Sequence, residues 1–211
     1  MVFHFDCAHF IIFRFRGLGG SCFTWCGLLN SHLSICLFCE EKNVTVMNTL
    51  RLNLVNVLFS LLPPTKLFSV KARLLRWAGA KVGNNVRIVS SAKFYMSGEL
   101  EIGSGTWIGH EVLIIGGDAK VIIGEDVDIA PRVTIVTGTH ELWKMNGKAA
   151  GRGYSLPVSI ESGVWLGAGS IVLGGVAIGS SSIIAAASVV TKDIPSCCLF
   201  GGNPARFIRQ K

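Results

Sequence analysis

Residues 160–190 read IESGVWLGAGSIVLGGVAIGSSSIIAAASVV. An aliphatic residue recurs here at every sixth position, in a set formed by Ile160, Leu166, Val172, Ile178, Ile184 and Val190. A period of six fits neither an α-helix, which repeats about every 3.6 residues, nor a half-buried strand, which alternates. It is the hexapeptide signature of a parallel β-helix, in which each hexad forms one short side of a coil and points its aliphatic side chain inward.

The same period extends toward the N-terminus. It gives two regular sets and one looser set, which are Ile102, Ile108 and Ile114, then Ile123, Ile129 and Ile135, and earlier Val82, Ile88, Phe94 and Leu100. Three sides make a coil of about eighteen residues, so residues 82–194 yield about five coils. The sequence therefore predicts a mainly β fold, with a parallel β-helix over residues 80–195 and a C-terminal tail over 196–211.

Two short helices are predicted before the repeat. Residues 48–62 place leucines and a valine at helical spacing until Pro63 and Pro64 end the run; these are Leu50, Leu54, Val57, Leu58 and Leu61. Residues 65–78 form a second helical pattern that carries Lys66, Lys71, Arg73 and Arg76. We predict a basic amphipathic helical cap over 47–79 that covers the open end of the prism. The alternative is contact with an anionic membrane surface, and the two roles are compatible.

The net charge of +7 is concentrated in one part of the chain. The sequence has 20 Lys and Arg against 13 Asp and Glu, but no acidic residue lies between Glu41 and Glu99. From Phe94 onward the charges nearly balance, so the excess lies in residues 47–93. This stretch has few aromatic residues suited to base stacking and no recognition motif, which argues against nucleic acid as a partner. The overall composition excludes a disordered or collagen-like chain.

Residues 1–46 differ from the rest. They carry no net charge and hold five of the seven cysteines. We interpret Met47 as the natural start and residues 1–46 as an over-extended reading frame or a disordered leader. A transmembrane segment over 17–39 is the alternative, although polar residues dilute it. The cysteine spacings resemble zinc sites, but no histidine pair follows them at finger spacing; the pairs are Cys22 with Cys26 and Cys36 with Cys39.

The hexapeptide period breaks decisively once, after Ile135. The hexad IVTGTH ends in His140, and residues 141–157 carry no repeat before it resumes. A long excursion from a rigid coil is where a lid or binding loop is expected. A histidine at its base suits general base catalysis, because a hydroxyl is a weak nucleophile until a base accepts its proton. The alternative is an ordinary surface histidine.

The repeat resembles a known family. The hexads IGSGTW, IGEDVD and LGAGSI, and the closing stretch ASVVTKDIP with GGNPARFIR, resemble hexapeptide-repeat acyltransferases of the galactoside and maltose O-acetyltransferase group. The stretch AGAKVGNNVRI is similar to the subgroup that O-acetylates bacterial surface polysaccharides. The resemblance covers residues 67–209. It implies a left-handed prism, a homotrimer with sites between subunits, acetyl-CoA as donor and a saccharide as acceptor. A reducing cytoplasm suits the body of the chain.

The resemblance also implies roles for individual residues. His140 matches the catalytic histidine, although Glu141 follows it where family members often have Pro. By an ungapped count through 115–122, Asp118 and His110 match acceptor-binding positions, with a turn aspartate and a structural histidine as alternatives. Glu141 and Asp128 are possible orienting partners for the His140 ring.

The donor side is implied in the C-terminal half. Small residues at Ala168 and Ala186 match positions near the pantetheine arm of coenzyme A. Cations and a hydroxyl match positions near the adenosine and its phosphates, and these are Thr191, Lys192, Arg206 and Arg209. The resemblance implies that Trp165 packs beside the thioester end or in the subunit contact, with packing in the core as the alternative, and that no metal is required.

Other functions share this prism. Serine acetyltransferases have a long helical domain that is missing here, and zinc-dependent carbonic anhydrases need three histidines where the repeat region has His110 and His140. A different small acceptor, such as a xenobiotic or an amino sugar, and a non-catalytic membrane-docked scaffold remain alternatives. We expect an acetyl-CoA-dependent O-acetyltransferase of surface polysaccharide biosynthesis.

Overall fold

The computed structural model of the 211-residue chain describes residues 11–16, 22–27, 47–145 and 147–210. The chain divides into two compact units, Met1–Asn43 and Val44–Lys211. In the first unit, β1 (Ile11–Arg16) and β2 (Cys22–Gly27) pair antiparallel.

The predictions for residues 1–46 otherwise lie outside the described residues. They include the start at Met47 and the Cys36 and Cys39 pair, while only the backbone is described for Cys22 and Cys26. Within the ranges given above, no helix has both the length and the apolar character needed to cross a membrane.

The second unit begins with two helices, α1 (Thr49–Leu61) and α2 (Phe68–Trp77). The Asn48 side chain caps α1 by accepting a hydrogen bond from the Arg51 backbone amide at 3.0 Å. The prolines after α1 end it as the sequence predicts. The helix packs on the first coil through Leu52, Val55, Asn56 and Phe59, which are buried. The Asn56 amide exchanges hydrogen bonds with the Phe94 backbone, which fixes the helix to the coil.

The leucines that mark the helical spacing of α1 do not cover the prism. Of these residues, Leu50, Leu54, Val57 and Leu61 are exposed. Lys71 does not lie on the basic surface that the sequence predicts. Its side chain is buried, and its Nζ donates to the carbonyls of Pro63 and Pro64 at 3.0 and 2.7 Å. Burial lowers the pKa of Lys71. Lys71 therefore fastens the turn between the helices.

The strands that follow form the β-helix. In chain order they are β3 (Lys81–Val82), β4 (Arg87–Ile88), β5 (Lys93–Tyr95), β6 (Leu100–Ile102), β7 (Trp107–Ile108), β8 (Leu113–Ile115), β9 (Val121–Ile123), β10 (Asp128–Ile129), β11 (Thr134–Val136), β12 (Gly138–Met145), β13 (Lys148–Ser155), β14 (Val158–Ile160), β15 (Trp165–Leu166), β16 (Ile171–Leu173), β17 (Ala177–Ile178), β18 (Ile183–Ile184), β19 (Val189–Val190), β20 (Cys198–Gly201) and β21 (Arg206–Gln210).

Three parallel ladders form the faces of the prism. Face 1 holds β3, β6, β9, β14 and β17; face 2 holds β4, β7, β10, β15 and β18, and continues into β20 and β21; face 3 holds β5, β8, β11, β16 and β19. Each face contributes one strand to each of five coils. This confirms the predicted mainly β fold, a left-handed parallel β-helix of about five coils with two preceding helices.

The core is the column of hexad residues. The aliphatic side chains at the sixth positions are buried, and they stack in register from coil to coil; Ile108, Ile129, Leu166 and Ile184 show this on face 2. The prism is therefore a rigid support, and the segments that leave it carry most of the freedom to form a site.

Two segments depart from the parallel ladders. β12 and β13 form an antiparallel hairpin that leaves the prism between face 3 and face 1. The excursion starts at Gly138, three residues before the predicted 141–157, because Thr137 is the last residue stacked on the coil below. At the far end, β21 pairs antiparallel with β20, so the predicted tail folds back on face 2. Cys197 and Cys198 are free thiols, the second one buried.

Candidate functional site

The predicted site residues lie along the two edges of face 3. The leading edge is where the chain passes from face 2 to face 3, and it carries His110, Ala168 and Ala186. The trailing edge is where the chain leaves face 3 for face 1, and it carries Asp118, His140, Thr191 and Lys192. Within one chain the two groups are therefore separated by the width of a face.

His140 lies at the base of the β12–β13 hairpin. Its backbone pairs with Gly153 across the hairpin, and its ring Nδ1 lies 3.0 Å from the Gly151 carbonyl oxygen. A carbonyl oxygen only accepts hydrogen bonds, so Nδ1 carries the proton in this contact. In the neutral ring this leaves Nε2 with the free lone pair. The exposed His140 is thus oriented with one nitrogen available to accept a proton.

Two glycines on β13 lie close to the ring and to the backbone of β12. A Cβ built at Gly153 would stand 3.4 Å from His140 Cε1, so the ring lies beside a strand that has no side chain there. A Cβ at Gly151 would stand 3.0 Å from the Glu141 carbonyl oxygen, which is tighter than ordinary contact. The close approach of β12 to Gly151 is what brings its carbonyl to the imidazole.

A backbone group, which sequence reasoning did not suggest, contacts the ring of His140 at Nδ1. Asp128 lies on β10 in face 2, away from the trailing edge. The ring Nδ1 donates its hydrogen bond to the backbone carbonyl oxygen of Gly151. A backbone carbonyl leaves no side-chain signal, and only the hairpin register identifies it.

Asp118 lies next to the base of the hairpin. The glycines that precede it stack directly on that base, since a Cβ at Gly117 would stand 2.3 Å from Ser155 Oγ and one at Gly116 would meet Thr137. Asp118 itself is exposed, and it lies one coil before His140. Because coils repeat about every 4.8 Å, a carboxylate there can reach a ligand held beside the histidine.

Thr191 and Lys192 continue the trailing edge toward the C-terminal end. Both are exposed, and they lie two coils beyond the base of the hairpin. Two coil spacings place these two residues about 10 Å along the edge from the base of the hairpin. The trailing edge therefore runs from a carboxylate, through a histidine, to a cation.

The leading edge contains a groove of about 610 Å³. Its lining residues are His110, Glu111, Pro131, Arg132, Ala168 and Gly169. His110 Nδ1 lies 3.4 Å from Ser91 Oγ, and Arg132 Nε donates to Glu111 Oε2 at 2.7 Å. The Arg132–Glu111 pair was missed from the sequence, although the two residues stand one coil apart in the repeat. Ala168 and Ala186 stack on successive coils, where Ala187 N donates to Ala168 O at 2.9 Å.

The remaining predicted residues lie on face 2 and its extension. Arg206 pairs with Gly201 on β20, beside the last turn of the leading edge, and Arg209 pairs with Leu199. Both arginines are exposed. Trp165 lies on the outer side of face 2, between Asp128 and Ile183 in the ladder, and is 53% exposed. In the part of the chain that the structure describes, no three His, Cys, Asp or Glu side chains are grouped so that they could hold a metal ion.

A parallel β-helix built from hexads is the fold of hexapeptide-repeat proteins. The family model for bacterial transferase hexapeptide (six repeats) matches residues 157–192. The hexapeptide-repeat-containing acetyltransferase of Vibrio cholerae, solved in complex with acetyl coenzyme A, superposes with a TM-score of 0.64 at 27% identity; the match covers 77% of this chain and 86% of the other.

Curated relatives agree with this class. The galactoside O-acetyltransferase of Escherichia coli is 38% identical over 141 residues, which are 65% of this chain and 66% of the relative. The candidate colanic acid biosynthesis acetyltransferase WcaF of Escherichia coli is 32% identical over 153 residues, which are 70% of this chain and 79% of the relative. The chain belongs to the hexapeptide-repeat acetyltransferase family. It spans between 44% and 66% of the length of the first four curated relatives it matches.

Proposed function

We propose that the chain transfers the acetyl group of acetyl-CoA to a hydroxyl of a saccharide, with His140 as the general base. The observation that carries the proposal is the hydrogen bond from His140 Nδ1 to the Gly151 carbonyl, which leaves Nε2 as the proton acceptor. Family membership supports the reaction class. The names of the relatives, a galactoside O-acetyltransferase and a candidate colanic acid acetyltransferase, support a saccharide acceptor.

The reaction is a direct transfer. Nε2 of His140 removes the proton from the acceptor hydroxyl, and the oxygen attacks the thioester carbonyl carbon. Backbone amides stabilise the tetrahedral oxyanion. The carbon–sulfur bond then breaks, the ester remains on the acceptor, and the proton passes from His140 to the coenzyme A thiolate. Holding both substrates beside Nε2 supplies the proximity that the step requires.

The donor is assigned to the grooves along face 3. Coenzyme A is long and carries phosphates, so it suits small residues along its apolar arm and cations at its end. Ala168 and Ala186 are small, exposed residues on successive coils of the leading edge. Exposed cations stand at the C-terminal end of the prism, and they are Lys192, Arg206 and Arg209. Trp165 is assigned to packing near the thioester or in the subunit contact.

A homotrimer brings the two groups of residues together. Within one chain, His110 and Ala168 lie on the leading edge and His140 and Asp118 on the trailing edge. Closed cyclic symmetry places the trailing edge of one subunit against the leading edge of the next. Each site then combines the base and Asp118 from one subunit with His110 and the alanine-lined groove from its neighbour.

The proposed setting is the cytoplasm, with a peripheral contact to the inner face of the cytoplasmic membrane through residues 47–79. Acetyl-CoA and saccharide precursors are both available there. The similarity to WcaF, whose name places it in colanic acid biosynthesis, supports a role in the synthesis of a surface polysaccharide.

Thiol release from acetyl-CoA, measured with and without saccharides, tests the proposed function. We expect release to depend on a saccharide such as a β-galactoside, and the product to gain one acetyl group by mass spectrometry. We also expect acetyl-CoA to raise the melting temperature, because a ligand that binds the folded state stabilises it. Acetylation of serine without acetylation of any saccharide would contradict the acceptor assignment. Absence of thermal stabilisation would favour a scaffold.

A further inference from the structure

The outward side of α1 is an apolar stripe that no element of residues 47–210 covers. The stripe consists of Leu50, Leu54, Val57 and Leu61. Successive residues of a helix turn by about 100°, so spacings of four, three and four place these side chains on one line. The residues that pack on the first coil lie on the opposite side of the helix. Leu50 is 79% exposed and Leu61 is 76% exposed.

The outward side of α2 adds a cation and an aromatic ring. Arg73 and Trp77 are one turn apart and lie opposite the buried side of the helix, which carries Lys71, Ala72 and Leu75. The Arg51 guanidinium of α1 lies 5.2 Å from the centre of the Trp77 ring and donates to the Trp77 carbonyl oxygen at 3.3 Å. Trp77 is still about half exposed, so its ring is available beside the stripe.

The charge around the stripe has one sign. Residues 42–98 contain no Asp or Glu. The exposed cations of the two helices and of the turn between them are Arg51, Lys66, Arg73 and Arg76. Lys71 does not contribute, because it is buried. The surface therefore combines exposed leucines with positive charge, and the helices and their connecting turn contribute no acidic side chain.

We propose that the stripe, together with Arg51, Lys66, Arg73 and Trp77, forms a docking surface. This docking surface binds the surface of an anionic lipid bilayer. Leucines, an aromatic ring and flanking cations on a helical surface are the composition of interfacial helices, in which apolar side chains enter the headgroup boundary and cations meet anionic lipids. A second copy of the chain is disfavoured as the binding partner, because the two docking surfaces would bring positive charges together.

Docking also orients the site, on the basis of the proposed function. The helices cover the first coil, Asp118 belongs to the second coil, and Lys192 belongs to the fifth. With the docking surface on the bilayer, the acceptor end of the trailing edge is nearer the lipid and the donor end is nearer the aqueous phase. This orientation suits a saccharide acceptor held at the membrane surface and acetyl-CoA arriving from solution.

Vesicle flotation of the full chain tests the docking. The probes are vesicles of phosphatidylcholine alone and vesicles with phosphatidylglycerol added. We expect flotation with the anionic vesicles only, and its loss at high salt. Leu54→Ser with Val57→Ser should weaken binding by at least about tenfold. Arg73→Gln should weaken it about fivefold. The matched control is Ile208→Ser at the other end of the prism, since Ile208 is 55% exposed and Val57 is 57% exposed.

Three results would overturn the docking proposal. They are absence of flotation with anionic vesicles, an equal loss of binding in Ile208→Ser, and a change of oligomeric state in the stripe variant by analytical ultracentrifugation. The last result would assign the stripe to a contact between copies. The thermal shift with acetyl-CoA should be the same in the stripe variant as in the wild type, so a failure of docking is distinct from a failure of the proposed reaction.

Hydrogen–deuterium exchange on anionic vesicles tests the orientation. We expect protection of residues 49–61 and unchanged exchange in residues 189–210. Equal protection of both segments would contradict an orientation with the donor end in solution.

Discussion

At the scale of residues, the site depends on how one imidazole is held. Nδ1 of His140 is engaged by a carbonyl of β13, and the ring lies beside Gly153. The carbonyl of this strand therefore fixes the tautomer of the base. A positioning role for Gly151 follows, since its carbonyl sets the direction of Nε2.

Substitution at Gly151 tests this role. A Cβ there would stand 3.0 Å from the Glu141 carbonyl oxygen, so Gly151→Ala should push the strands apart and weaken the hydrogen bond to His140. We expect kcat to fall about tenfold, with little change in the KM for acetyl-CoA. The control is Gly153→Ala, whose Cβ makes ordinary contact at 3.4 Å and should leave kcat within about twofold. An equal kcat in the two variants would contradict the positioning role.

At the scale of elements, face 1 carries a charged ladder beside its apolar core. Lys81 and Lys120 each contact both Glu99 and Glu101, and the two Lys120 distances are 3.1 Å. The Lys81 ammonium lowers the pKa of Glu99 to about 2, and Lys120 adds to this effect. The folded state therefore favours the charged form of Glu99. The ladder to which it belongs links three successive coils.

Acid titration tests the ladder. The pKa of Glu99 lies below its ordinary value of 4.5, so its contribution to stability is present above about pH 4.5 and is lost as pH falls toward 2. Glu99→Gln should reduce the free energy of unfolding near neutral pH by less than about 1 kcal/mol, because the lysines are partly exposed and screened. Urea unfolding at pH 6 and pH 3 should show a smaller acid dependence in this variant. The exposed Glu125→Gln is the control, and an unchanged acid dependence in Glu99→Gln would contradict the account.

The same elements show which features sequence can predict. The hexad period predicts the prism because an inward aliphatic side chain at every sixth residue serves one geometry. Which side of α1 faces outward was not predictable from the sequence. Leu50 and Leu54 have helical spacing whichever side packs, and a polar residue such as Asn56 is expected on the exposed side, whereas it is buried. The position of His140 was predictable from the break in the period. Its hydrogen bond to Gly151 was not, because it depends on the register of the hairpin.

At the scale of the whole molecule, the proposed site needs more than one chain. His110 and His140 lie on opposite edges of face 3, so a site that uses both residues draws them from neighbouring subunits of the proposed trimer. This arrangement makes a specific prediction for mixed assemblies.

Complementation between inactive variants tests the shared site. His110→Ala and His140→Ala should each lower acetyl transfer strongly. When the two chains are co-expressed, about a quarter of the interfaces combine an intact His110 with an intact His140 from different subunits, so activity should return to about that fraction of the wild type. No recovery in mixed trimers, with sedimentation showing that they form, would place both residues in one subunit.

The measurement that tests the central claim most directly is acetyl transfer by His140→Ala under saturating acetyl-CoA and acceptor. If Nε2 of His140 is the general base, kcat should fall by about 100-fold to 10,000-fold while acetyl-CoA still raises the melting temperature as in the wild type. A variant that transfers acetyl groups at a near-normal kcat would contradict the assignment of His140.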